Sequence, residues 1–235
     1  MRNAKAFVFD FYGTVAGDAV SVPPMWQVLA DLGYPSHPEL EAMFEPDSFD
    51  GTTTISVDGG RGHDGWIEGN WRQFVRLSGV PVERVEEVLR HLLAVRAAYR
   101  AKEVPETSSL ISLLRSHGLR VGLCSNWEND IDGYLEQAEL PSFDAVVTSC
   151  QIGARKPNRL IFQAICERLG VAPDDTVFIG DNWQADIVGA LRHGMTPVWI
   201  RCGRPSRGLT RHVAEFDSLA RLFSHMTQLL TNVYS

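Results

Sequence analysis

Asp10 closes the apolar run AFVF and is followed almost at once by a Gly13-Thr14 turn, with Tyr12 standing two residues beyond the acid. Comparable polar groups occur further on: Ser125-Asn126 after the run LRVGLC, Lys156-Pro157 ahead of NRLIFQAICERLG, and Asp181 after TVFIG with Asp186 shortly downstream. A carboxylate can attack phosphorus or an activated carbon, giving a covalent intermediate that water then breaks. An ammonium beside it keeps it ionised and offsets negative charge on a substrate, and a hydroxyl with backbone N–H groups binds oxygens that gain charge during transfer. Each residue has a plainer reading: an aspartate at a strand end accepts turn hydrogen bonds, and a lysine next to a proline is ordinary on a surface. The ordered set, with three lysines among 22 Lys and Arg, favours chemistry at Asp10 and Lys156.

These residues need a scaffold that gathers them. Short runs rich in Val, Ile and Phe (AFVFD, LRVGLCS, DAVVTS, TVFIGD, TPVWI) alternate with helix-like segments such as SLISLLRSHG and NRLIFQAICERLG, the latter closing on Gly170 as a C-cap glycine would. Runs this uniformly apolar predict an α/β fold with a parallel sheet covered by helices on both faces. Ligands of an open parallel sheet bind beyond the carboxyl ends of its strands, where Asp10, Ser125 and Asp181 all fall. Between residues 15 and 98 the alternation stops, and MWQVLADLG, GWIEGNWRQFVRLSG and VERVEEVLRHLLAVRAAYR read as helices around the loop FDGTTTISVDGGRGHDG. That block reads as an insertion above the sheet, giving a core of residues 1–14 and 99–235 and a helical domain of 15–98.

Composition narrows the function classes. A chain of 235 residues can bury a proper core, and its net charge of −7, with no basic concentration, argues against a nucleic-acid partner held through phosphates. The longest apolar runs reach about six residues, far from the ~20 needed to span a bilayer. The four cysteines form no C-x-x-C pair and no secretory signal precedes Asp10, so free thiols in a reducing cytoplasm are expected, with a small-molecule substrate and a monomer or homodimer both open.

The ordered motifs D-x-x-G-T, S-N, K-P and G-D-x-x-x-x-D resemble those of the haloacid dehalogenase superfamily, whose Rossmann-like core commonly carries a helical cap inserted after the first motif. The resemblance spans the whole chain, the cap being its least specific part. It implies Asp10 as nucleophile, Lys156, Ser125 and Thr14 as its catalytic company, and Asn126, Tyr12 and Gly13 at the substrate. Two branches of the superfamily compete. Tyr12 resembles the 2-haloacid dehalogenase branch, which attacks carbon without a metal; phosphatases carry there a second aspartate that protonates the leaving oxygen, a role tyrosine with an ordinary pKa near ~10 fills poorly. Asp181 points the other way, standing where dehalogenases have serine, with Trp183 in place of their asparagine and Phe162 in place of their tyrosine. Residues 15–60 also contain no arginine to match the one those enzymes carry early in the cap.

Charge counting favours a metal. Asp10, Asp181 and Asp186 against Lys156 leave a net negative crevice, and each like-charge pair at ~4 Å costs roughly 4 kcal/mol at an effective dielectric near 20. Mg²⁺ would relieve this, and the resemblance implies Asp10, Asp181, Asp186 and the Tyr12 backbone carbonyl as its ligands. The leading expectation is a Mg²⁺-dependent phosphatase acting through an aspartyl-phosphate on Asp10, slowed by the ~10²–10⁴-fold that general acid catalysis supplies unless the leaving group is good or another residue substitutes. His63 in the loop GGRGHDG is the candidate substitute, although a loop histidine is more often simply solvated. The alternatives are metal-independent 2-haloacid dehalogenation by Asp10 and a catalytically impaired binding protein, both suggested by Tyr12. Phosphonoacetaldehyde hydrolysis is set aside because residues 15–98 contain no lysine for its Schiff base. Trp26, His63, Trp66, Trp71 and Arg72 are possible substrate contacts, the tryptophans hinting at a flat or apolar group, though aromatics at helical spacing are more often core.

Overall fold

The computed structural model describes residues 4–34, 71–72, 74–127, 131–208 and 213–231; His63 and Trp66 lie outside them. In chain order the strands are β1 (Ala6–Phe9), β2 (Ala16–Val20), β3 (Arg100–Glu103), β4 (Arg120–Ser125), β5 (Ala145–Thr148), β6 (Thr176–Gly180), β7 (Thr196–Ile200) and β8 (Ala214–Phe216). The helices are α1 (Met25–Asp31), α2 (Val85–Arg96), α3 (Thr107–Ser116), α4 (Asp132–Gln137), α5 (Ser149–Ile152), α6 (Arg159–Leu169), α7 (Gly189–Arg192) and α8 (Leu219–Thr231). A wide π turn, Trp183–Val188, leads into α7.

Six strands form one sheet in the order β5-β4-β1-β6-β7-β8, and every neighbouring pair is parallel. The apolar run of β1 suits its central place, because a strand covered on both faces has no side that water can reach. Period-two alternation sends Phe7, Phe9, Val121, Leu123, Val177 and Ile179 into a cluster with α3 and α8. Ala6, Val8, Cys124 and Phe178 point the opposite way, into a cluster with α6 and Ala190. Both faces of the sheet are therefore covered, and the register Phe9↔Leu123 and Phe9↔Ile179 brings the ends of β1, β4 and β6 level at one edge.

The stretch from residue 15 departs from expectation at its start. Ala16–Val20 is a strand rather than part of a helical block, pairing antiparallel with β3. AGDAV and RAKE carry no apolar run or clean alternation, so only their partnership reveals them. Beyond them, helices do dominate the described residues up to 96: Val28 and Leu29 of α1 pack with Trp71, Phe74 and the apolar side of α2 in a cluster of their own. Among the described residues no helix is long and apolar enough to cross a membrane, and Cys124, Cys150, Cys166 and Cys202 are all free.

Helix α6 shows how the scaffold fixes a site residue. Asn158 accepts the Leu160 N–H at 3.0 Å as an N-cap, and Gly170 ends the helix at φ 62°, so α6 begins directly after Lys156-Pro157. Asn158→Ala should lower stability by about 1 kcal/mol, read as a reduced urea midpoint with an unchanged m-value.

Candidate active site

Lys156 is the centre of the cluster at the carboxyl edge of the sheet. Its side chain is 1% exposed, with Nζ 2.6 Å from Asp10 Oδ1 and 2.7 Å from Asp186 Oδ1, and lies over the Phe178 ring at 5.2 Å. Burial alone would strip its proton, but the two carboxylates outweigh burial and hold the ammonium above its ordinary pKa. The Asn126 amide fixes the backbone at this point: Asn126 Oδ1 accepts the Lys156 N–H at 2.7 Å, and Asn126 Nδ2 donates to the Lys156 carbonyl at 3.0 Å. Expected at the substrate, Asn126 thus has both ends of its side chain engaged in positioning Lys156.

Ser125, at the end of β4, donates through Oγ to Asp10 Oδ1 at 2.9 Å. Lys156 and Ser125 both contact Oδ1, and neither of them contacts Oδ2. Gly13 takes φ +82°, and a Cβ there would come within 2.8 Å of Asp181 Oδ2, so only glycine lets this turn approach the acid. Thr14 is fully buried, and its Oγ1 finds no hydrogen-bond partner among the described residues. Tyr12 is 46% exposed at the same turn.

The end of β6 supplies the other acids. Asp186 is buried, its Oδ2 accepting the Asn182 N–H at 3.0 Å, and a Cβ on Gly180 would meet that same oxygen at 2.2 Å. Carboxylate oxygens of Asp10, Asp181 and Asp186 lie within 4.8 Å of one another. Burial first, then the neighbouring acids, raise the pKa of both Asp181 and Asp186 against the pull of the nearby cations. The acids remain short of positive charge.

One contributor was not expected from the sequence. Arg204, in the loop after β7, sits 2.8 Å from Asp181 Oδ2 and also donates to the Asp181 carbonyl, which accepts the Trp199 indole N–H at 3.0 Å as well. Among the described residues the crevice thus holds two cations, Lys156 and Arg204. Nothing local marks Arg204 in the sequence, since it belongs to an irregular loop whose path depends on β7.

The profile of the haloacid dehalogenase-like hydrolases matches residues 4–194. The chain belongs to that family. Among haloacid dehalogenase-like relatives, phosphoserine phosphatase of Thermus thermophilus is 27% identical over 85% of this chain and 78% of its own length. Glyceraldehyde 3-phosphate phosphatase of Methanothermobacter thermautotrophicus is 35% identical over 41% of this chain, a match that spans 43% of that relative. A phosphatase of the same superfamily from Thermococcus onnurineus superimposes with a TM-score of 0.59 at 26% identity, covering 94% of this chain and 97% of its own. The 2-haloacid dehalogenase of Pseudomonas syringae pv. tomato reaches 0.64 at 20% identity, covering 96% and 99%, a likeness of fold.

Removing the ammonium would leave Asp10 and Asp186 buried and uncompensated. Lys156→Met should therefore destabilise the fold by about 3–5 kcal/mol, the range for breaking a buried ion pair from one side, measured by chemical denaturation.

Proposed function

We propose that the chain is a Mg²⁺-dependent phosphomonoester hydrolase working through an aspartyl-phosphate on Asp10. The observation that carries this reading is Asp181, a third carboxylate brought within 4.8 Å of Asp10 and Asp186. Three hard oxygen donors in a crevice still short of positive charge suit Mg²⁺, so the donor set fits the ion. Asp10, Asp181, Asp186 and the Tyr12 carbonyl would hold it, and when bound it would neutralise charge on the phosphoryl oxygens. The two relatives named as phosphoserine and glyceraldehyde 3-phosphate phosphatases act on phosphate esters, which supports the same reading.

Within this proposal the chain's own residues divide the work. Asp10 Oδ2 attacks phosphorus while Lys156 and Ser125 hold Oδ1, and Lys156 offsets charge as it shifts from carboxylate to phosphoryl group. Gly13 and Thr14 keep the turn close enough for backbone N–H groups to meet substrate oxygens. Residues 15–98 would act as a cap, a role supported by the separate apolar cluster that α1, Trp71, Phe74 and α2 form. The protein's compartment is proposed to be the cytoplasm, in keeping with four free cysteines.

A second reading, metal-independent 2-haloacid dehalogenation at Asp10, is favoured by Tyr12 and by Arg204, which already places one positive charge on Asp181. Hydrolysis of p-nitrophenyl phosphate and acetyl phosphate separates the two. Phosphate release should require Mg²⁺ and fall to background in Asp10→Asn, and Asp181→Asn should raise the Mg²⁺ requirement by at least the roughly 10–100-fold that outer partners of a metal site cost. Unchanged turnover in Asp181→Asn would contradict the proposal, and chloride release from 2-chloropropionate in excess chelator would establish the second reading.

A further inference from the structure

A cavity of about 470 Å³ opens at the turn that follows Asp10, with Tyr12, Trp71, Arg96, Tyr99, Asn126 and Trp127 among its walls and apolar side chains of α1 and α2 closing it. Tyr12 and Asn126 tie it to the chemistry, one in the turn that follows Asp10 and the other adjoining Ser125. Aromatic rings adjoin along it: Tyr12 and Tyr99 have ring centroids 6.3 Å apart at an interplanar angle of 59°, and Tyr99 and Trp127 are 6.2 Å apart at 51°. Such a wall suits a flat ring. The volume also exceeds what a small aliphatic ester such as phosphoserine would fill.

Apart from the Asp18 carboxylate, which accepts the Tyr12 hydroxyl, the polar groups of the cavity point to a further feature of that ring. Arg96 lies over Tyr99 at 4.9 Å and over Trp127 at 5.3 Å, so the aromatic faces take its π surface and leave its in-plane N–H groups for an anion. The Tyr99 hydroxyl and the Trp127 indole N–H are buried beside the cavity without a hydrogen-bond partner among the described residues. Buried donors rarely stay unpaired, and an acceptor on a ligand would use them.

Proton supply limits the leaving group independently. Tyr12 stands where phosphatases of this superfamily carry a second aspartate, so the turn after Asp10 offers no carboxylic acid to protonate the leaving oxygen. An alkoxide, whose conjugate acid is far weaker than a phenol, departs poorly without a proton. A phenolate, with a pKa near ~10 like tyrosine's own phenol, departs without one.

We propose that the substrates are aryl monophosphates bearing an anionic ring substituent, with the ring in this cavity and the substituent on Arg96. This rests on the phosphatase reading and adds the substrate class to it. Asp10 Oδ2 forms the bond to phosphorus as the aryl oxygen leaves with its electron pair, and the phenolate later takes a proton from solvent. Water then attacks phosphorus, which frees the Asp10 carboxylate and inorganic phosphate and returns a proton to solvent.

The test compares kcat/KM for sn-glycerol 3-phosphate, phenyl phosphate and 4-carboxyphenyl phosphate in wild type and Arg96→Leu, with Mg²⁺ present. In wild type the order should be 4-carboxyphenyl above phenyl above glycerol phosphate. Arg96→Leu should cut the carboxylated ester roughly tenfold or more beyond its effect on phenyl phosphate, the scale of one lost hydrogen bond to a charged group. Glycerol phosphate turned over as well as phenyl phosphate would overturn the proposal, as would a preference for the carboxylated ester that survives in Arg96→Leu. Phosphate release from none of the three would instead remove the phosphatase reading beneath it.

Discussion

A lysine ammonium can stay charged inside a protein only if opposite charge meets it there, and Lys156 meets it twice, at Asp10 and at Asp186. This double ion pair joins three separate elements: the end of β1, the loop before α6 and the π turn after β6. One oxygen of Asp10 is occupied by Lys156 and Ser125, so in the proposed mechanism its other oxygen would face the substrate. The surrounding structure serves that arrangement: Asn126 clamps the Lys156 backbone, and Gly13 and Gly180 permit approaches to acids that any side chain would block.

Much of this is legible in the amino-acid sequence, for a topological reason. When all strands of a sheet run parallel, polar residues that end apolar runs must collect at one edge. Asp10, Ser125 and Asp181 therefore announce one crevice although they are far apart in sequence, and Lys156 joins them through its place ahead of a capped helix. What stays hidden lacks such a local signature. β2 and β3 are short, partly exposed and defined only by pairing with each other. Arg204 reaches Asp181 from a loop whose course no periodicity encodes, and the union of Arg96 with Tyr99 and Trp127 depends on how the helical block settles against β4.

Tyr12 links the two halves of the account. It replaces a proton donor, and its ring becomes part of the aromatic wall that continues through Tyr99 to Trp127. On the proposed reading, tyrosine at this position would favour leaving groups that need no proton, and its ring adds to the cavity wall where such a group would sit. A restriction in chemistry and a preference in binding then point to the same class of molecule. Arg204 pairs with Asp181 and tempers the charge that this acid contributes.

The most direct measurement is to quench the enzyme in acid during turnover of p-nitrophenyl phosphate with Mg²⁺ and map any added mass by peptide mass spectrometry. The account predicts one phosphoryl group, carried on the peptide that contains Asp10 and lost on treatment with hydroxylamine, as an acyl phosphate is. A phosphoryl group on another residue, or continued turnover with Asp10 never modified, would contradict it.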